Sequence, residues 1–458
     1  MSTQNNDHWN ETLDFIESQR KKLNIPGCSL GILHHGELKT AGFGVSNVEK
    51  KSPVSADTLF QIGSISKTFA ATVALKLVEE GKLDLHKPVQ AYLPDFKVAD
   101  ESVSAQVTPW HLLTHSAGWD GDLFVESGDG ADAFQNYISR LFDRQQLFPL
   151  GEYFSYNNSG FAVMGGILEA ASGKSMEELL HTYILDPLEL KRVFFNAGEV
   201  ITYDFAVGHL STRDGGGVAR PWRMPRAVLP MGALVTNVSD LLRYAGCYMA
   251  KGKTPSGAQM LKPETVDDMF TPKMTNYAGD RTSVGYAWMR RELDSGPIIG
   301  HGGGTNGQLT QLSMLPEQDF ALAFFTNSDD GGKLIEEAHK FLLKTYLDVV
   351  IDLPKEIKST PEQLAPYAGV ARRPGFNTYL EMLGDHLVGM MEITIGFPTE
   401  NDPPPPPMQP FCLGRCAEDR LIILDGDAKD QPIDIFRGSD GKIAYMRMSR
   451  MHRFTPKR

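Results

Sequence analysis

Near residue 353 the character of the chain changes. The helical segment Gly332 to Val350 gives way to a linker-like stretch, Leu353-Pro354 to Pro361. From about Leu364 onward short alternating segments dominate: His386 to Ile395, Leu421 to Leu424, Ile433 to Arg437 and Ile443 to Met448. Turns such as Leu424-Asp425-Gly426 and Ser439-Asp440-Gly441 separate them. Alternation broken by tight turns predicts a small antiparallel barrel or sandwich. With 458 residues the chain also exceeds the size at which one hydrophobic core keeps growing. Two domains are expected, residues 1–353 and 362–458. In the second, Pro403 to Pro407 reads as a stiff polyproline spacer and the basic end, Arg447 to Arg458, as a solvated last strand.

The first domain mixes helices and strands. Asp7 to Leu23 reads as an amphipathic helix, with Trp9, Leu13, Ile16 and Arg20 spaced for one face and Pro26-Gly27 ending it. Cys28 to Leu33 and Lys39 to Val45 flank the turn His34-His35-Gly36-Glu37, which predicts an antiparallel hairpin. Phe60 to Phe69 then runs from a strand-like segment into a helix, continued by the strong helix formers Ala70 to Glu80 and stopped at Gly81. This stretch contains Ser64-Ile65-Ser66-Lys67. About 5 Å of helix separates Ser64 from Lys67 on one face, so the amine reaches the hydroxyl. A helix start also presents free N–H groups that favour an anionic oxygen beside the serine. Ser-x-x-Lys recurs at Ser18–Lys21 and Ser439–Lys442, where a solvated surface explains it, so the pattern needs partners to carry chemistry.

Further along, Thr108 and Pro109 open a helical segment that ends at Gly118. His111 and His115 stand at i, i+4 as in a zinc helix, but Leu112 occupies the place of the metalloprotease glutamate, which favours a structural role. Trp119 to Gly130, rich in Gly and Asp, reads as a surface loop overhanging a site. Tyr156-x-Asn158 precedes an apolar helix from Phe161 to Ala171. Either a phenol and an amide face one cavity, or the asparagine caps the helix. His301-Gly302-Gly303-Gly304 follows an apolar run and allows a substrate to approach the backbone, with a flexible turn as the alternative. Arg213 to Arg226, including the candidate substrate-binding residues Trp222 and Arg223 together with Arg226, lies either at the site entrance or in an ordinary charged loop.

Composition narrows the partners. A net charge of −12 argues against nucleic acid and anionic membrane surfaces. No stretch approaches the roughly 20 apolar residues of a membrane span, and the polar start Met1 to His8 shows no secretory pattern, so a cytoplasmic protein is expected. Cys28, Cys247, Cys412 and Cys416 fit no zinc framework and are expected as thiols, Cys412 and Cys416 being able to pair in an oxidising setting. No metal and no cofactor are expected.

Ser64-Ile65-Ser66-Lys67, Tyr156-Asn157-Asn158 and His301-Gly302-Gly303, in this order, resemble the serine β-lactamase and penicillin-binding-protein superfamily, in its class C β-lactamase, D-peptidase and esterase branch. Leu59 to Gly63, Thr108 to Gly118 and Met231 to Leu241 look like that family too, and the likeness covers roughly residues 10 to 350. The resemblance implies an α+β fold: a five-stranded antiparallel sheet flanked by helices, an inserted all-helical cluster, and a site at their junction. It implies that Ser64 attacks a carbonyl, that Lys67 and Tyr156 exchange its proton, and that Asn158 orients lysine and substrate. The backbone N–H groups of Ser64 and Gly304 would hold the oxyanion, with the Lys67 charge depressing the Tyr156 pKa. His301 stands where many relatives carry the lysine of Lys-Thr-Gly, which replaces a permanent cation with a mostly neutral ring. Members with this form are often esterases or peptidases, and the class A deacylating glutamate has no evident counterpart. The C-terminal piece resembles the lipocalin-like barrel of some family peptidases and esterases.

Together these features predict a serine hydrolase acting on a small ester, amide or short peptide, D-amino-acid peptides included. The catalytic residues are Ser64, Lys67, Tyr156, Asn158 and His301, with Gly303, Gly304, Trp222 and Arg223 binding substrate. The alternatives are an acyltransferase using the same acyl-enzyme and a non-catalytic ligand sensor, which need not keep all four of Ser64, Lys67, Tyr156 and Asn158.

Overall fold

The structure is a computed structural model and describes residues 2–211, 217–277, 281–396, 404, 408–426 and 428–457. Of the stretches read above, Arg213, Pro403, Pro405 to Pro407 and Arg458 lie outside the described residues.

Helix α1 (Ser2–Lys22) leads into a hairpin of β1 (Gly27–His34) and β2 (Glu37–Asn47), bordered by β3 (Ser52–Pro53). After β4 (Phe60–Gln61) the chain enters α2 (Ser66–Glu79) and then a helical cluster. The cluster comprises α3 (Glu101–Gln106), α4 (Pro109–Leu113), α5 (Ala133–Ile138), α6 (Ser159–Ser172), α7 (Met176–Leu180) and α8 (Ala197–Val200). The short β5 (His209–Leu210) and β6 (Gly217–Val218) pair with each other, and β7 (Val235–Thr236) pairs with β4. Helices α9 (Val238–Met249) and α10 (Pro263–Phe270) precede the run β8 (Met274–Tyr277), β9 (Thr282–Val284), β10 (Met289–Arg291), β11 (Ile298–Thr305), β12 (Gln308–Leu315) and β13 (Phe320–Thr326). Helix α11 (Gly331–Leu347) follows.

These strands form a nine-stranded antiparallel sheet in the order β3-β2-β1-β13-β12-β11-β10-β9-β8. The five long strands β2, β1, β13, β12 and β11 make its centre, as the family resemblance implies. The four additional strands are edge pieces of two to four residues. Strand β13 is buried throughout and its period of two divides the core. Phe320, Leu322 and Phe324 meet Ile16 of α1 and Leu334, Ala338 and Leu342 of α11, while Ala321, Ala323 and Phe325 belong to the core on the α9 and α2 side. Gly31 of β1 lets α9 come close, because a Cβ there would lie 2.6 Å from Leu242 Cδ1. Helix α2 is buried along most of its length, the pattern of a core helix rather than an amphipathic surface one.

After α12 (Pro361–Leu364) the chain forms a closed barrel of eight strands: β14 (Gly369–Arg373), β15 (Phe376–Leu383), β16 (His386–Ile393), β17 (Phe411–Ala417), β18 (Arg420–Ile423), β19 (Pro432–Arg437), β20 (Ile443–Met448) and β21 (Arg450–Pro456). Leu380, Leu387, Leu421, Ile433 and Met446 fill it. Among the described residues no helix is long and apolar enough to cross a membrane.

The basic end is not the solvated strand expected from its charge. Arg447 is 2% exposed, pairs with Asp434 at 2.8 Å and donates to the Phe154 carbonyl at 3.0 Å. Met451 packs with Leu147 and Phe148 of the first half of the chain. A buried guanidinium needs acceptors for its donors, and here Asp434 on the neighbouring strand and the carbonyl of Phe154, far away in sequence, supply them.

Candidate active site

Ser64 sits in a single 3₁₀ turn, Gly63–Ile65, that leads directly into α2. Ser66 ties this turn down by donating to the Gly63 carbonyl at 2.7 Å and accepting from Leu234 N–H at 3.1 Å. Gly63 takes φ +53, and a Cβ there would lie 2.5 Å from the backbone N of Gly304. Gly303 has equally little room, since its Cβ would fall 1.9 Å from the Ile62 carbonyl oxygen, which also accepts from Thr310 Oγ1 at 2.9 Å. The glycines of β11 thus let the strand edge lie against the serine turn.

Lys67 is fully buried. Its Nζ stands 3.0 Å from Ser64 Oγ, 2.8 Å from Asn158 Oδ1 and 2.6 Å from the Met231 carbonyl oxygen. A neutral amine has two N–H donors and one lone pair, which matches two carbonyl acceptors and one hydroxyl able to donate. Burial, followed by the nearby Arg450 cation, holds the lysine well below its ordinary pKa, with Asp122 opposing. The arrangement favours a free amine facing the serine hydroxyl.

Tyr156 and Asn158 enter the same pocket at the start of α6. Capping falls to the residue between them: Asn157 Oδ1 accepts from Gly160 N–H at 2.8 Å, which leaves the Asn158 amide to Lys67. The Tyr156 ring lies 5.0 Å from Lys67 Nζ. Its hydroxyl is buried with no hydrogen bond of normal geometry among the described residues. Burial pushes the phenol above its ordinary pKa, and the Ser64 hydroxyl and Arg450 offset this only in part. This is opposite to the direction expected from an adjacent lysine charge, because the same dry pocket drives that lysine neutral. His115 stacks on Tyr156 at 4.4 Å and its Nδ1 accepts from Asn157 N–H at 3.0 Å. His111 instead closes the capping box of α4 with Thr108.

His301 lies beside this group, its ring 6.0 Å from that of Tyr156 and its Nδ1 2.5 Å from the Gly302 carbonyl oxygen. Burial and the neighbouring Lys67 depress its pKa to about 3, so the ring is neutral at physiological pH. Trp222 and Arg223 stand apart from this cluster's hydrogen bonds. Trp222 packs on Phe205 and donates to the Ala206 carbonyl at 3.0 Å, while its own carbonyl accepts from Gln61 Nε2. Arg223 pairs with Glu126 at 2.8 Å and Asp129 at 2.7 Å, and Arg226 with Glu169 and Glu177.

Two residues near the serine carry no motif. Trp119 to Val125 is not a surface loop: Trp119, Asp120, Asp122, Leu123 and Val125 are buried. Asn158 Nδ2 donates to Asp122 Oδ1 at 2.8 Å. The other face of that carboxylate pairs with Arg450 Nε at 2.5 Å and Arg373 at 3.2 Å, both from the barrel. Arg450 also lies 5.2 Å from the Tyr156 ring. Burial works against ionised Asp122, but Arg450 and Arg373 outweigh it and hold the carboxyl below its ordinary pKa. Asp-x-Asp inside an otherwise apolar stretch, and the charges Arg373 and Arg450 in the barrel segments, are the sequence signals for this network. Among the described residues no group of three or more His, Cys, Asp or Glu side chains is placed to hold a metal ion.

The family model named Beta-lactamase matches residues 13–346. Penicillin-binding protein 4 of Amycolatopsis lactamdurans is 28% identical over 377 residues, covering 80% of this chain and 98% of that protein. The crystal structure of SurE superposes with a TM-score of 0.75 at 22% identity, over 98% of this chain and all of SurE, and a second structure of SurE with D-Leu gives 0.74. The D-amino acid amidase from Ochrobactrum anthropi SV3 superposes with a TM-score of 0.61 at 21% identity, over 73% of this chain and 98% of the amidase.

Proposed function

The chain belongs to the beta-lactamase family, and from that premise we propose that it is a serine hydrolase cleaving a small ester or amide through an acyl-enzyme on Ser64. The observation that carries this reading is the buried Lys67 amine 3.0 Å from the serine hydroxyl. In acylation, Ser64 Oγ bonds to the substrate carbonyl carbon as its proton passes to Lys67 Nζ. The backbone N–H groups of Ser64 and Gly304 receive the oxyanion. When the adduct collapses, Tyr156 gives its hydroxyl proton to the departing alkoxide or amine and is refilled from Lys67, which removes any need for a stable phenolate. Water then attacks the ester, its proton is taken up by the same pair, and Ser64 recovers a proton as the acid departs. Asn158 orients the amine throughout.

Two further points refine the substrate. The neutral His301 supplies no cation, so the β11 edge at Gly303 and Gly304 offers backbone hydrogen bonds rather than charge. The names of the D-amino acid amidase and of SurE with D-Leu motivate D-amino-acid amides and peptides as the first class to try. We assign residues 1–353 to the hydrolase domain and 362–458 to the barrel domain. The test is mass spectrometry after incubation with a fluorophosphonate, beside turnover of p-nitrophenyl esters and D-amino-acid p-nitroanilides. An adduct on Ser64 is expected; the absence of both adduct and turnover would sink the reading.

A further inference from the structure

The Asn158 amide has two chemically opposite ends of nearly identical shape. Its Oδ1 faces Lys67 Nζ and its Nδ2 faces Asp122 Oδ1, both at 2.8 Å. An amide does not choose between its two orientations; its neighbours do. An ionised carboxylate only accepts hydrogen bonds, so Asp122 draws the NH₂ end to itself and leaves the carbonyl for the lysine. A buried carboxylate persists in that state only with counter-charges. Arg450 provides two contacts, Nε to Oδ2 at 2.5 Å and Nη2 to Oδ1 at 3.0 Å, and Arg373 provides a third at 3.2 Å.

We propose that Asp122 is a positioning residue for acylation: with Arg450 of the last barrel strand as its counter-ion, it fixes the Asn158 amide and thereby the Lys67 amine that takes the serine proton. This rests on the hydrolase reading above and extends it, because it makes the barrel a working part of a site whose motifs all lie in the first 353 residues. Ser64, Lys67, Tyr156, Asn158 and His301 do not form a complete apparatus by themselves.

Charge gives the proposal a signature that simple structural support lacks. Arg450 disfavours the Lys67 ammonium and Asp122 favours it. The other groups around Lys67 are Tyr156, His115 and His301, all held neutral by burial. Around Asp122 stand Asp120, Arg373 and His452, with Arg144 beyond Asp120. Removing the carboxylate or the guanidinium therefore moves the Lys67 titration in opposite directions.

The experiment follows the second-order rate of Ser64 labelling by a fluorophosphonate on the full chain, from about pH 5 to about pH 10. The Ser64 Oγ–phosphorus bond forms, fluoride leaves, and the serine proton goes to Lys67. Asp122→Asn is expected to label about tenfold more slowly on the plateau, with its acid limb displaced to lower pH. Arg450→Gln is expected to displace the limb to higher pH, and the double variant to return it towards the wild-type position. Should Asp122→Asn fail to fold by circular dichroism, Arg450→Gln, which leaves Arg373 on the carboxylate, carries the test. A limb unmoved in a folded single variant, or moved the same way in both, overturns the proposal. Wild-type protein unlabelled at Ser64 overturns the hydrolase reading instead.

Discussion

The backbone N–H of Tyr156 donates to the carbonyl of Ser449 at 3.0 Å. The peptide that carries the phenol is therefore hung on the turn between β20 and β21, almost three hundred residues later. The neighbouring Ser155 reinforces this by accepting from Met451 N–H at 3.0 Å. Ser155→Ala leaves that buried N–H without its acceptor and should cost about 1–3 kcal/mol of stability, read by denaturant unfolding. It should also slow Ser64 labelling, because the Tyr156 backbone loses its neighbouring tether; unchanged stability would mean that water replaces the hydroxyl.

Lys67→Met removes the proposed proton acceptor while keeping the volume of the stem. Ser64 labelling should fall by about a hundredfold to ten-thousandfold. The change relieves the desolvation of the amine but leaves the Asn158 Oδ1 and Met231 carbonyl acceptors unpaired, so folding is checked in parallel by circular dichroism. Labelling that survives intact would remove lysine from the mechanism.

Tyr156→Phe separates a structural from a chemical role. Among the described residues the Tyr156 hydroxyl has no hydrogen bond of normal geometry to lose, so the melting temperature should stay unchanged or rise slightly. Ester turnover should nevertheless fall by about a hundredfold or more, because the leaving group loses its proton donor. A variant with unaltered turnover would place the phenol among packing residues.

Much of this arrangement is legible in the order of residues. The nearness of Ser64 and Lys67 follows from a helix of strong formers that fixes their spacing, and Tyr156 and Asn158 immediately precede another apolar helix. Local rules suffice there. Asp122 and Arg450 escaped for a physical reason: a buried ion pair is decided by tertiary contact, and neither sequence neighbourhood records the other's charge. The same limit made Trp119 to Gly130 look like a surface loop, since its Gly and Asp content matches one while the burial of Trp119, Leu123 and Val125 does not. Asn157, not Asn158, caps α6, a distinction of one residue that pattern alone does not draw.

Asp120 makes a prediction about pH and stability. Burial raises its pKa from 3.8 to about 6, although Arg373 and Arg144 pull against that shift. A raised folded-state pKa contributes stability at low pH, where both states are protonated, and that contribution is lost as pH rises through the folded value. Between about pH 4 and about pH 6 the wild-type chain should therefore lose stability relative to Asp120→Asn, by on the order of 1–3 kcal/mol in all. Parallel unfolding curves for the two proteins across that window would contradict it.

Gly63→Ala tests the approach of β11 to the serine turn. An L-residue at φ +53 is strained by about 1 kcal/mol, and its Cβ would also meet the Gly304 N–H. Stability and labelling should fall together. A variant that loses stability but keeps its labelling rate would show that Gly304 does not help hold the oxyanion.

The outermost strand of the sheet next to β2 is two residues long and ends in Pro53, and the opposite border, β8, has four. The barrel closes on itself through β14 and β21. The closed barrel gives a second chain little ladder to extend, whereas β2, paired with β3 only at Val45 and Asn47, keeps the border of Glu37–Gly44 open. Should the two halves part, the barrel would expose its charged and apolar contact face but little template for strand addition, which guards an assembly with a composite site on that side against polymerising through its strands.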